Sequence, residues 1–289
     1  MNILSVRDVS KRFGKRQVLK SVSFDIPKGA IVGLIGPNGV GKSTIMKIIL
    51  GIYKADSGTV SSKGTVGALI ESPAIYPFLT GRQQLMLYSH QNAANVNVIV
   101  KEMAMTKYID KRVVHYSLGM KQKMGIASAL LNHPDVVILD EPMNGLDPMS
   151  NRELRDLIMR LAEKGISFLI SSHILSELEK MIDQVVLLDK GQVILATSMK
   201  HLHAIGANYL FLKTDDDTRC TRTLIKDKIS ATKSQNGVQV PLSQSSNLNQ
   251  LFNDLLSNKI KIEDVGHFQE NLEDSVLTMM ANESRGKDR

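Results

Sequence analysis

A doubly wound α/β core, in which a parallel sheet is covered by helices on both faces, is the fold class this sequence predicts. Two observations point to it. A buried apolar run, Ala30 to Ile35, leads into the glycine-rich segment Gly36-Pro37-Asn38-Gly39-Val40-Gly41-Lys42-Ser43-Thr44, and an apolar helical stretch, Ile45 to Leu50, leads out. Two further unbroken apolar runs, Asp135 to Leu139 and Ile166 to Ser171, each follow a stretch with helical spacing. Strands that are apolar on both faces belong inside a parallel sheet.

Taken in order, alternating residues in Ile3 to Val9 and Val18 to Ile26 read as antiparallel strands around a turn at Lys11 to Arg16, with Pro27-Lys28-Gly29 closing the second. Thr80 to Leu131 shows helical spacing broken by polar residues at Asn92 to Asn97 and Lys111 to Tyr116, which predicts a helical insert. After Gly206 the pattern changes. A strand is expected at Asn208 to Lys213, a charged turn at Asp215-Asp216-Asp217, and a polar loop at Ser230 to Gly237. Helices at Leu248 to Leu256 and Leu272 to Met280 flank a strand at Lys259 to Asp264. The expected domains are therefore 1–205, with its helical insert at about 80–131, and 206–289, a small C-terminal α+β appendage.

The 289 residues leave room for a main domain with an annex, and 43% hydrophobic against 22% charged residues is an ordinary globular balance. A net charge of +7 favours an anionic ligand or partner. The basic residues are scattered, there is no Trp and aromatics make up 4%, so no nucleic-acid partner is expected. The lone Cys220 excludes an internal disulfide and fits a reducing compartment. No apolar stretch is long enough for a membrane span or a signal sequence, so any membrane role must come through a partner.

The glycine-rich segment has the parts of a phosphate cradle. Gly36, Gly39 and Gly41 allow backbone shapes and close approaches that a Cβ blocks, so N–H groups can converge on phosphates at a helix N-terminus. Lys42 supplies a point charge to the β- and γ-phosphates, and Ser43 a hydroxyl ligand to Mg²⁺. Val136 to Leu139 then delivers Asp140 and Glu141 to the end of a buried strand, where open α/β sheets bind ligands. Asp140 suits Mg²⁺ through its water shell, and Glu141, one residue further out, suits a water in line with the γ-phosphorus. The expectation is an α/β P-loop NTPase core with an antiparallel β subdomain.

With these stretches in this order, Met1 to Ala204 resembles the nucleotide-binding subunits of ATP-binding cassette (ABC) transporters. The resemblance implies ATP and Mg²⁺ as cofactors, with Gly36, Asn38, Gly39, Gly41, Lys42, Ser43 and Thr44 around the phosphates. Phe13 matches the aromatic that stacks on adenine, although a core position reads equally well from sequence. Tyr116-Ser117-Leu118-Gly119-Met120-Lys121-Gln122 is similar to the family signature, with Ser117 and Gly119 kept and Leu118 and Met120 departing. It implies contact with ATP held by a second copy or a paralogous ATPase subunit. Asp147, in Asn144-Gly145-Leu146-Asp147-Pro148, matches the acid of the loop joining two subunits, and His173 matches the switch histidine.

Glu71 stands where most relatives carry Gln, linking metal and attacking water to a transmembrane partner. With Ile75 to Gly81 it resembles the subgroup of peptide-antibiotic transporters, including lantibiotic self-immunity and bacitracin-type resistance systems. The implied role is to energise export of an antimicrobial peptide at the cytoplasmic face of a membrane, through separate permease subunits. Glu270 to Val276 resembles the closing helix of drug- and peptide-exporting ATPases. Two rival readings stay open: a soluble cassette ATPase acting on ribosome or DNA, and a non-transporting sensor subunit.

Overall fold

Apolar runs of four to six residues bounded by turn residues are too short for helices, and they form the strands of the main sheet. The structure, a computed structural model, describes residues 1–89, 91–205, 208–227, 229–234, 237–241 and 248–269. The chain forms two compact units that divide between Met199 and Lys200.

Along the first unit run β1 (Asn2–Phe13), β2 (Arg16–Pro27), β3 (Ile31–Ile35), α1 (Lys42–Ile49), β4 (Ser57–Ser62) and β5 (Val66–Leu69). There follow α2 (Gly81–Tyr88), α3 (Ala93–Glu102), α4 (Leu118–Leu130), β6 (Val136–Leu139), α5 (Pro148–Glu163), β7 (Ser167–Ser172), α6 (Leu175–Leu178), β8 (Gln184–Asp189) and β9 (Gln192–Ser198). β1 and β2 pair antiparallel around Gly14 and Lys15, a shorter turn than the expected Lys11 to Arg16, and β4 completes the order β2-β1-β4. β4 escapes a reading from sequence because Ser-Gly-Thr-Val-Ser-Ser carries no alternation: Val60 alone is half-buried and the rest are exposed.

The main sheet has the order β5-β6-β7-β3-β8-β9, parallel through β8 and antiparallel at β9. From β3 the chain crosses to β5, returns through β6 and β7, and then passes to β8 on the other side. Such a reversal opens a crevice at the C-terminal strand ends. Register decides what lines it. Ile35 lies opposite Ser172 and Leu187, and Leu139 opposite Ile170, so Gly36, Asp140, Ser171 and His173 come to one edge. Both sheets close on one core that includes Leu4, Leu19, Ile26, Leu34, Ile45, Met46, Ile138 and Leu169. Each such side chain contributes about 1.5–3 kcal/mol on burial.

In the insert, Asn92 to Asn97 does not interrupt a helix but begins one. The Asn92 side chain accepts the Asn95 N–H at 3.1 Å, and α3 buries Val96, Ile99 and Val100. A true break lies at Val113–His115, a single 3₁₀ turn pinned by the buried Val113.

The second unit takes α7 (Met199–Ile205), which begins at the division, then β10 (Asn208–Thr214), α8 (Asp217–Lys226), β11 (Thr232–Ser234), β12 (Gly237–Pro241), α9 (Leu248–Ser257) and β13 (Ile262–Gln269). The βαββαβ succession with order β11-β12-β10-β13 is a ferredoxin-like α+β arrangement. Its core unites Leu210, Leu212, Leu224, Val238, Val240, Leu251 and Leu255 around Cys220, whose thiol burial pushes up to about 11. Three expectations need correction. Within the expected loop Ser230 to Gly237, Thr232–Ser234 forms a short strand, because β11 is stabilised by its pairing with β12 and not by an apolar pattern. The acidic turn also starts α8, with Asp216 accepting the Arg219 N–H at 2.9 Å. The last strand begins at Ile262, because Lys259 takes a left-handed φ of 57° in the turn after α9. The expected helix at Leu272 to Met280 and the segment Glu270 to Val276 lie outside the described residues.

Candidate functional site

Two glycines of the loop after β3 are required by space. A Cβ on Gly36 would stand 2.4 Å from the Leu188 carbonyl oxygen, and one on Gly41, at φ 119°, 2.7 Å from Leu19 Cδ2. Gly41 is also the N-cap of α1, so no side chain caps the helix and no acid occupies its first turn. The leading N–H groups are thus left for an anion, which the helix dipole favours. Lys42 folds back into the loop, 6% exposed, and its ammonium donates to the Gly36 carbonyl at 2.7 Å. Ser43 and Thr44 are half-buried in the same turn, and Asn38 and Gly39 are exposed at the tip.

Across the crevice, Asp140 and Glu141 leave the end of β6. Asp140 is buried and accepts the Ser171 hydroxyl at 2.5 Å, while the Glu141 N–H donates to the same Ser171 Oγ at 2.8 Å. Ser171 therefore ties both acids to β7. Glu141 has a left-handed φ of 47°, a conformation that costs a β-carbon residue on the order of 1–3 kcal/mol and persists only where neighbours hold it. What holds it is visible. Glu141 Oε2 lies 3.0 Å from His173 Nδ1, and Oε1 lies 3.2 Å from the Lys42 ammonium as an ion pair without hydrogen-bond alignment. Lys42, Glu141 and His173 thus form one chain of contacts with the loop at one end.

Among the described residues no three His, Cys, Asp or Glu side chains converge as a metal cage. One buried carboxylate, Asp140, and the Ser43 hydroxyl in the first turn of α1 are the kind of donors that Mg²⁺ accepts when phosphates and water complete its shell. Glu71 sits apart from Asp140 in its contacts. It has φ 63°, and its largely exposed carboxylate takes a hydrogen bond from Lys47 of α1 at 2.5 Å.

Phe13 is 43% exposed, which removes the core reading. Its ring stands edge-on to Tyr53 with centroids 5.5 Å apart, and the Lys11 ammonium lies 5.4 Å from it. An exposed aromatic ring of this kind can stack on a base.

Ser117, Gly119 and Asp147 occupy another surface. Ser117 is the N-cap of α4 and accepts the Met120 N–H at 3.3 Å, while its own N–H points to the Met120 sulfur at 3.4 Å. Asp147 is the N-cap of α5, ahead of Pro148, and takes N–H groups from Met149 and Ser150, both at 3.0 Å, and the Ser150 hydroxyl at 2.6 Å. These bonds, Ser150's hydroxyl foremost, hold its carboxyl below the ordinary range. A Cβ on Gly119 would come 3.0 Å from Ser150 Oγ, so the two helix starts abut. Among the described residues no hydrogen bond or ion pair joins this surface to Lys42, Glu141 or His173.

Ser171, Lys47 and Tyr53 belong to these contacts, yet sequence reasoning passed them over. Ser171 had a signal, a hydroxyl at the end of a buried apolar run, level with Asp140 once the two strands are aligned. The other two had none, because their partners are distant in the chain.

Comparison with known proteins places the chain. Residues 19–144 match the family model described as ABC transporter. Over 205 residues it is 40% identical to the lantibiotic transport ATP-binding protein SrtF of Streptococcus pyogenes, covering 67% of this chain and 90% of that one. It is 31% identical to the bacitracin transport ATP-binding protein BcrA of Bacillus licheniformis, covering 98% of this chain and 99% of BcrA. A solved ATP-binding subunit of an ABC transporter superposes with a TM-score of 0.63 at 30% identity, over 70% of this chain and 92% of its own. With a relative aligned along nearly its whole length and a fold shared with a solved subunit, the chain belongs to the ABC transporter ATP-binding proteins, and it binds and hydrolyses ATP.

Proposed function

We propose that this ATPase energises export of an antimicrobial peptide across a cell membrane. The observation that carries the substrate class is the likeness to SrtF and BcrA, proteins named for lantibiotic and bacitracin transport, the second extending over both units of the chain. No helix among the described residues is long and apolar enough to cross a membrane. The protein would therefore act at the cytoplasmic face through permease subunits.

Hydrolysis is assigned as follows. The N–H groups of the α1 turn and Lys42 bind the phosphates, and Phe13 stacks on the base. Ser43 and Asp140 would hold Mg²⁺, with Glu71 as a further ligand. Bound there, the ion would draw charge off the phosphate oxygens. Glu141 takes the proton of the attacking water, since its backbone is held by Ser171 and its carboxylate by His173 and Lys42. His173 hydrogen-bonds the γ-phosphate and keeps Glu141 in place.

Ser117 and Gly119 serve the ATP of a second copy, with Asp147 beside them. ATP bridging two copies has differential affinity for the closed pair, and hydrolysis removes it. A permease has a place to dock. Between β5, the segment 70–74, α2 and α4 runs a groove of about 430 Å³, lined by Thr65, Leu69, Pro73, Gln84, Tyr88 and Ser128. Gln84 firms its rim by accepting the Tyr76 N–H at 2.9 Å and donating to the Ala74 carbonyl at 2.6 Å. Tyr76 and Phe78 stay exposed beside it, ring centroids 5.9 Å apart.

The experiment is a deletion of the gene with minimum inhibitory concentrations read for a panel of lantibiotics and bacitracin. Sensitisation to a peptide, restored by the wild-type chain and not by Glu141→Gln, is the expected outcome. Unchanged sensitivity across the panel, with a different substrate recovered for the copurifying permease, would contradict it.

A further inference from the structure

Lys47 has no part in the assignments above, yet it stands at the metal's doorstep. It lies one helical turn after Ser43 on α1, and residues spaced i, i+4 share a helix face. Side chains on a helix lean toward its N-terminus, the direction of the turn that carries Ser43. The side chain is 19% exposed, its ammonium is 5.5 Å from the Tyr53 ring centre, and it donates to Glu71 Oε1 at 2.5 Å. Glu71 itself is in a left-handed conformation, φ 63°, which needs a contact to hold it.

We propose that Lys47 is a positioning residue, the resident cation of the metal site: it neutralises Glu71 beside Ser43 and yields that carboxylate to the divalent ion that arrives with nucleotide. The proposal rests on the assignment of Ser43 and Asp140 to Mg²⁺. Its physical content is a competition. An unpaired Glu71 carboxylate would help draw divalent ions in without nucleotide, whereas an ammonium already paired with it must first be displaced. Uptake of the metal is then tied to the phosphates, and the segment after β5, which leads toward the groove, is released from α1 at the same moment.

The test uses Mn²⁺ in place of Mg²⁺ and counts free ion by electron paramagnetic resonance, with the full chain, in the presence and absence of ADP. Lys47→Met is expected to bind Mn²⁺ roughly five- to tenfold more tightly than wild type, the scale of removing one nearby ammonium at a protein surface, and most visibly without ADP. In a Glu71→Gln background the same change should do nothing, and Lys47→Arg should keep the wild-type affinity. Equal Mn²⁺ affinity in wild type and Lys47→Met would overturn the proposal, as would an undiminished Lys47→Met effect without Glu71. A wild-type chain that binds no Mn²⁺ even with ADP would remove the metal site itself, a failure distinct from the other two.

Discussion

The C-terminal edge of the main sheet and the paired starts of α4 and α5 both offer groups suited to phosphate, and they are built in opposite ways. At the sheet edge, Lys42 and Asp140 are buried, Ser171 joins two acids, and Glu141 is gripped from two sides. At the helix starts, Ser117 and Asp147 are exposed, and among the described residues they bond to their own first turns. The first surface is preorganised by strand register, and the second is stabilised only as two capped helices. On the proposed two-chain site, the reaction would draw its rigidity from one surface and its completion from another molecule.

The sharpest break is at Glu141. Glu141→Gln keeps the shape and the His173 contact but loses the base, so kcat should fall by roughly 10²–10⁴ while nucleotide affinity is kept, read by steady-state ATPase and equilibrium binding. Normal turnover would remove Glu141 from the role. Next comes Lys42→Ala, which strips a buried ammonium from Glu141 and from the Gly36 carbonyl. ATP affinity should drop about 30-fold or more, the usual cost of truncating one member of a buried charged pair, measured by titration with a fluorescent analogue.

Ser171→Ala should act on stability, because Asp140 loses its donor inside the sheet. A loss of about 1–3 kcal/mol in urea unfolding of the full chain is expected. An unchanged midpoint would mean water replaces the hydroxyl. The smallest effect belongs to the helix starts. Asp147 has its folded-state carboxyl held below the ordinary value by Ser150 and the α5 N–H groups, so its contribution is present above the unfolded value and lost as pH falls through the depressed one. The Tm difference between wild type and Asp147→Ala should therefore be flat near neutral pH and narrow below about pH 4, where carboxyls protonate.

How much of this could be read from the chain follows from the same contrast. Strands β3, β6 and β7 were legible because each is an unbroken apolar run, and the residues just past them announce themselves by being Gly, Asp-Glu and Ser-His. β4 was not, since an edge strand with one inward residue leaves no alternation, and neither was β5, whose Gly67 lies so close under α4 that a Cβ would stand 2.1 Å from the Ala129 carbonyl oxygen. The hairpin of β8 and β9 did carry its signal, two apolar runs about Lys190-Gly191, and was passed over. Within the site, motif residues were legible as types at fixed spacing. Their supports were less so: Ser171 offered only a hydroxyl at the end of an apolar run, and Lys47 meets Glu71 only once the fold brings α1 beside the segment after β5.

The central claim is that each ATP is completed by two chains, the sheet edge of one and the α4 start of the other. Mixing two inactive variants tests it most directly. Lys42→Ala spoils the cradle and spares the helix start, and Ser117→Arg does the reverse, so a mixed pair holds one intact site. The account predicts that equal amounts, inert alone, recover roughly a quarter of wild-type ATPase when combined, because half of random pairs are mixed and each carries one good site of two. A mixture that stays as inert as its components, while ATP still binds the Ser117→Arg chain, would contradict it.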